Sequence, residues 1–231
     1  MKKFFFFAAA LVAAATINAE TYDFATYATE ADWVVTDATK NAAESKEDKL
    51  VYDITGGVEA VVSPKGAENV QFTIKNGSDK KKAFNINLGN SFEFGGKNGI
   101  IKLSGVQVGA SIKLVVAAKG STAADFADAT STYPKGAIAV STDLTCPAKG
   151  SDGADEKGYV WKTLEYQATS SNVEIKEFNG GYRISSLTIG GTTAINNTNA
   201  ETVKATKYME NGALVIVKNG VKYNALGAVI E

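Results

Sequence analysis

The chain has 231 residues, 45% of them hydrophobic, with 24 basic against 25 acidic residues, one cysteine and no histidine. Without histidine there is no Ser-His-Asp or Cys-His nucleophile pair, no imidazole general base and no His-ligated zinc, and a single cysteine excludes an internal disulfide. A formal charge of −1 gives no field that would steer the chain to nucleic acid or anionic lipid.

Residues 1–19 read as a secretory signal peptide. Lys2 and Lys3 form the charged start, Phe4 to Ala15 an apolar run, and Ile17-Asn18-Ala19 offers a small residue before the cut. The run is shorter than the roughly 20 residues of a membrane span, so the mature chain has no transmembrane anchor. Cys146 lies far from the cleavage region, which argues against a lipoprotein, and beside Pro147 with no histidine it reads as a buried or loop residue.

Residues 20–191 carry a period of two. Val70, Phe72 and Ile74 alternate with Gln71, Thr73 and Lys75. Phe84, Ile86 and Leu88 alternate with Asn85 and Asn87, Phe92 and Phe94 flank Glu93, and Val173 and Ile175 alternate with Glu174 and Lys176. The pattern predicts strands with one face in a core and the other in water. Leu50 to Ile54 and Ile112 to Ala118 are more uniformly apolar and suit central strands. Five Asn-Gly pairs, at Asn76, Asn98, Asn179, Asn211 and Asn219, punctuate the strands, because both residues tolerate positive φ. Gly56-Gly57, Gly95-Gly96 and Gly190-Gly191 add further breaks. In Tyr182, Ile184, Leu187, Ile189 the alternation slips at Ser185-Ser186, the mark of a β-bulge. Asp37 to Asp48 and Ser121 to Ser131 are Ala-rich and polar without an apolar stripe, and read as short helices or as loops. Lys80-Lys81-Lys82 reads as a solvated turn.

Residues 192–206 read as a linker around Asn196-Asn197-Thr198-Asn199. In residues 207–231, Lys207–Glu210, Ala213–Lys218 and Val221–Ala225 predict a small β-meander joined by Asn-Gly turns.

Lys81 to Gly120, with its FEFGGKNG and AAKG segments, and Gly180 to Gly190, with GGYRIS, resemble a β-sandwich of exported Bacteroidetes proteins. Many such domains look like carbohydrate-binding jelly rolls. The tail KYMENGALVIVKNGVKYNALGAVIE is similar to C-terminal tails of secreted Prevotella and Bacteroides proteins, related in look to the sorting domains read by the type IX secretion system. The resemblance implies a secreted or outer-surface protein, with export machinery as a partner of the tail and a glycan as a ligand.

Sugar platforms are aromatic, with neighbouring polar groups on the hydroxyls. Trp161, Tyr159 and Tyr182 are the candidate ligand-binding residues, ahead of Trp33, Tyr133 and Tyr166. Trp161 and Tyr159 stand at i and i+2 of one strand face, after an acidic loop, whereas Trp33 reads as core. Each aromatic taken singly fits core packing or sheet-face decoration better than a ligand site. Asp152, Asp155 and Glu156 cluster in the loop Ser151–Glu156 and are weak calcium ligands, since oxygen-rich loops hold that ion. A solvated acidic loop is the stronger reading of the two, and their spacing is not that of an EF-hand. No carboxylate stands in a catalytic motif and no glycine-rich phosphate loop occurs, so no catalytic residue is assigned.

Together these readings give an all-β fold, an antiparallel two-sheet sandwich of jelly-roll type followed by a meander. The leading function is an exported noncatalytic module that binds carbohydrate by aromatic stacking, with no cofactor beyond a structural calcium. The alternative is a structural or adhesive surface protein with no small ligand. A polysaccharide hydrolase ranks third.

Overall fold

The computed structural model describes residues 19–54, 56–75, 81–94, 99–190, 206–210, 213–218, 221–224 and 229–230. The chain divides into two compact units, Met1–Thr192 and Thr193–Glu231. In the first, the strands are β1 (Glu20–Asp23), β2 (Trp33–Thr36), β3 (Thr39–Lys40), β4 (Lys49–Ile54), β5 (Glu59–Pro64), β6 (Val70–Lys75), β7 (Lys81–Asn87) and β8 (Ser91–Phe94). They continue as β9 (Gly99–Ser104), β10 (Ser111–Ala118), β11 (Ala124–Asp125), β12 (Ala137–Ala139), β13 (Thr145–Cys146), β14 (Lys162–Ala168), β15 (Asn172–Lys176) and β16 (Tyr182–Ile189). Among the described residues the only helical turns are short 3-10 segments, Phe24–Thr26 and Glu30–Asp32. Asp37 to Asp48 and Ser121 to Ser131 are therefore loops, holding the two-residue strands β3 and β11.

Two antiparallel sheets make the sandwich. The larger runs β12-β14-β10-β16-β8-β7-β4-β3, and β1 joins β16 on the flank that β8 occupies further along. The smaller runs β15-β9-β6-β5-β2. The pairs β10·β14, β9·β15 and β8·β16 are nested and alternate between the sheets, which is jelly-roll connectivity. The expected bulge is present: Val115 faces Ser186 and Val116 faces Ile184, leaving Ser185 as the extra residue.

The inward faces follow the alternation. Val70, Phe72, Ile74, Phe84, Ile86, Phe92, Phe94, Val173 and Ile175 are all buried. The sheets meet where Phe72 of β6 stacks on Phe92 of β8, ring centroids 4.5 Å apart, with Phe94 edge-on to Phe92 at 4.9 Å and Trp33 at 6.1 Å. Ring pairs of this kind add about 1 kcal/mol each beyond the area they bury. The outward face of the larger sheet departs from expectation. Asn85 and Glu93, read as water-facing, are buried, and Ser91 is buried with them.

Of the Asn-Gly pairs, Asn179-Gly180 is described. Gly180 has φ +71°, and the Asn179 side chain accepts from the Asp125 amide and donates to its carboxylate. Asn76-Gly77, Gly95-Gly96, Asn98, Asn211-Gly212, Asn219-Gly220, the expected linker up to residue 205, Lys80 and residues 1–18 of the expected signal peptide lie outside the described residues. Gly136 has φ +68°, and a Cβ there would sit 2.0 Å from the Asn172 carbonyl oxygen, so no other residue fits.

The second unit is a four-stranded antiparallel sheet in chain order, β17 (Thr206–Glu210), β18 (Ala213–Lys218), β19 (Val221–Asn224) and β20 (Val229–Ile230). The fourth strand extends the three-stranded meander expected there.

Phe92→Ala should remove the ring that joins the two sheets and cost about 4 kcal/mol in urea unfolding, whereas Val108→Ala at an exposed turn should cost less than about 0.5 kcal/mol. Equal midpoints for the two variants would refute this account of the core.

Candidate functional site

A row of polar side chains crosses the outer face of the larger sheet. Asn85 on β7, Glu93 on β8 and Arg183 on β16 are direct cross-strand partners. Glu93 is 1% exposed. Its carboxylate accepts from the Asn85 amide, meets Lys119 Nζ at 3.1 Å and pairs with Arg183 Nη2 at 2.6 Å. Burial opposes ionisation of Glu93, but the charges of Arg183 and Lys119 and the hydrogen bonds from Lys119 and Asn85 outweigh it and hold the carboxyl below its usual range.

The segment from Lys149 to Trp161 lies against this row. The Arg183 guanidinium stands 4.3 Å from the Tyr159 ring centroid and the Lys149 ammonium 4.5 Å, with Lys149 also 3.4 Å from the Tyr159 hydroxyl. The segment is shaped by Asp155. Its carboxylate accepts from the backbone N–H of Lys157 at 2.9 Å and of Tyr159 at 2.8 Å, and from Trp161 Nε1 at 2.9 Å. These bonds, the Tyr159 amide first, hold the Asp155 carboxyl low. The loop closes through Gly150 donating to the Gly158 carbonyl and Asp155 donating to that of Tyr159.

Beside it opens a groove of about 490 Å³, lined by Asp48, Asn87, Leu88, Gly89, Asn90, Lys149, Lys157, Tyr159 and Arg183. Strands and tight turns supply the floor: Arg183 from β16, and Asn87 to Asn90 from the β7–β8 turn, where Asn87 donates to Ser91. A second, smaller recess of about 260 Å³ lies between the ends of β6, β9 and β15, with Gln71, Lys102 and Glu174 on its wall.

The three aromatic candidates do not form one platform. Tyr182 is 0% exposed, packed between Phe94 at 5.0 Å and Phe126 at 4.8 Å, and offers no face to a ligand. Burial, ahead of the neighbouring Glu177 charge, pushes its phenol well above the ordinary range. Its neighbour Arg183 is the residue that reaches the groove. Tyr159 lines the groove at 6% exposure, and Trp161 stands beside it, half-buried, with centroids 6.0 Å apart. The pair precedes β14 and is placed by Asp155, not by strand alternation. Trp33 and Tyr166 belong to the core, and half-buried Tyr133 lies 4.8 Å from Lys135 Nζ.

In the acidic loop Asp152 and Glu156 are exposed, and Asp155 is committed to its turn. Among the described residues no three His, Cys, Asp or Glu side chains converge. Cys146 is fully buried and burial pushes its thiol up to about 12, which removes it as a nucleophile at neutral pH.

Glu93 and Arg183 escape the periodicity reading, which sends every residue between two core residues to water. One signal does mark them. Arg183 is the only arginine of the chain, set in an apolar strand, and Glu93 sits between two phenylalanines. An opposite-charge pair in two apolar strands points to a buried fork that lysine would not match.

No family model matches the chain, and no curated protein matches it. Among solved structures it is similar to the K1 cleaved adhesin domain of Lys-gingipain from Porphyromonas gingivalis, at 13% identity and TM-score 0.32, over 76% of this chain and 99% of that one. It is also similar to the K2 cleaved adhesin domain of Lys-gingipain, at 13% identity and TM-score 0.27, over 75% and 99%.

Glu93 bears directly on acid stability. A carboxyl lowered by folding stabilises in full above its unfolded value of about 4.3, and the effect is lost as pH falls through the folded value. Glu93→Gln should cost about 3 kcal/mol at neutral pH, because Arg183 and Lys119 lose their counter-charge, and should flatten the decline between about pH 5 and pH 3. Urea unfolding of both proteins across that range measures it. Parallel acid profiles would exclude this role for Glu93.

Proposed function

We propose that this chain is a noncatalytic adhesion module working outside the cell, and that it grips a saccharide in the Tyr159–Arg183 groove. The observation that carries the proposal is the lining itself. Asn90 and Asp48 supply the amide and carboxylate that pair with sugar hydroxyls, Lys149, Lys157 and Arg183 supply cationic donors, and the rings of Tyr159 and Trp161 stand beside them. The groups sit on a stiff floor, so little ordering accompanies binding.

Hydrolysis is the weaker reading. Glycosidases flank the scissile bond with two carboxyl groups, one of them free to give a proton. Among the described residues Asp48 is the one carboxylate lining the groove, while Glu93 beneath it is engaged by three partners. Export belongs to the same proposal, supported by the Lys2-Lys3 start with its apolar run and by the sorting-like tail sequence.

A second reading, adhesion through protein contact, draws on Ile138 and Val140. They are 44% and 54% exposed, on and just after β12 at one end of the larger sheet. Exposed apolar residues at a sheet end suit a protein partner.

A glycan array probed with residues 20–231 tests the main reading. At least one saccharide class should be retained, and the variant Asn90→Ala/Tyr159→Phe should bind it about 10-fold more weakly while keeping its fold. A folded, monodisperse sample that retains no saccharide would overturn it in favour of protein contact.

A further inference from the structure

The charges around the groove go further and, resting on the saccharide reading above, specify the ligand. We infer that the groove selects a sugar unit bearing an anionic group, a carboxylate or a sulfate ester on the ring. Its lining holds Lys149, Lys157 and Arg183 against Asp48. Glu93 below faces both Arg183 and Lys119, so its single charge offsets one of these two cations and the surplus persists. The Lys149 ammonium has the Tyr159 ring and hydroxyl as its partners among the described residues, and not a carboxylate.

This local surplus stands on a chain whose acidic residues outnumber its basic ones, so it is not a by-product of overall charge. The acidic loop bounds it on one side, where Asp155 lies near Lys157 and spends its oxygens on the Lys157 and Tyr159 amides and on Trp161. Arg183 carries five N–H donors, and Glu93 engages it through Nη2, which leaves donor capacity on a side chain already held in place. Pre-positioned arginine and two lysines match a compact anion. Asn90 and Asp48 match the hydroxyls around it.

An acidic peptide is the poorer fit. Extended peptides add to a free strand edge through backbone hydrogen bonds. The floor of this groove is Arg183 on β16, a strand paired on both sides by β10 and β8, and the β7–β8 turn, whose Leu88, Gly89 and Asn90 amides are already engaged, so it offers no free strand edge.

Calorimetric titration of residues 20–231 with oligogalacturonate, a chondroitin sulfate fragment, neutral cellohexaose and poly-L-glutamate tests the inference. At least one acidic saccharide should bind about 10-fold or more tighter than cellohexaose and weaken as NaCl rises from about 50 to about 300 mM. Preference between the first two probes identifies carboxylate or sulfate. Lys149→Gln/Lys157→Gln should cut that affinity about 10-fold, and Asp48→Asn, which keeps an acceptor and drops a charge, should raise it about 2-fold. The gain in Asp48→Asn cannot come from misfolding. Cellohexaose binding as tightly as the acidic sugars would overturn the inference and leave the saccharide reading standing. Equal binding of poly-L-glutamate would reduce the groove to a generic polyanion patch and overturn it as well. Absence of binding to every saccharide would overturn both readings.

Discussion

A carboxylate buried in the outer face of a sheet must be matched where it stands, and the Glu93–Arg183 pair is the constraint on which this face depends. Removing two charges from water costs several kcal/mol per ion, and such a pair adds little net stability over an apolar replacement. What it adds is position. Glu93 and Arg183 are cross-strand neighbours, so the pair pins β8 to β16 at one register, and Lys119 ties the end of β10 to the same carboxylate. On the other side of β8, Phe92 and Phe94 enter the core, and Phe92 meets Phe72 of the opposing sheet. A four-residue strand therefore fixes the inner packing and the outer polar row together.

The same row explains why the segment from Lys149 to Trp161 lies where it does. Arg183 and Lys149 both approach the Tyr159 ring, and Asp155 holds the backbone of Tyr159 and the indole of Trp161. The loop is thus anchored at one point by cation–ring contact and at another by a side-chain turn. Its Asp155 shapes the loop, and its tyrosine closes a polar network.

Much of the fold is legible in the sequence because it rests on local periodicity. The strand at Val70–Lys75, the alternation from Phe84 to Asn87, the slip at Ser185, and the Asn179-Gly180 turn each follow from a few residues and appear as expected, whereas Lys81 and Lys82, read as part of a turn, begin β7. What escapes depends on what covers a face. Alternation assigns Glu93 and Asn85 to the side opposite Phe92 and Phe84, and that is where they are. It cannot say that Lys119 and Arg183 converge on Glu93, or that Tyr159 from a distant loop lies against Arg183. Tyr182 fails for the complementary reason: an aromatic on a central strand fills the core first, and only the flanking Arg183 reaches the outer face.

That exchange, a ring for a guanidinium, changes the chemistry available to the site. A stacking platform needs broad, exposed ring faces, and the core has claimed Tyr182, Tyr166 and Trp33. The groove keeps the 6%-exposed Tyr159 beside charges and amides, so directional polar groups dominate its lining. Polar recognition is demanding, since each donor or acceptor left unpaired in a complex costs more than a good pair gains. It succeeds where the groups are held in advance. Glu93 holds Arg183, Arg183 stands against Tyr159, and Asp155 sets the backbone that carries Tyr159 and Lys157. The buried pair thus recovers in preorganisation what it costs in desolvation, and the groove inherits its rigidity from the strand register beneath it.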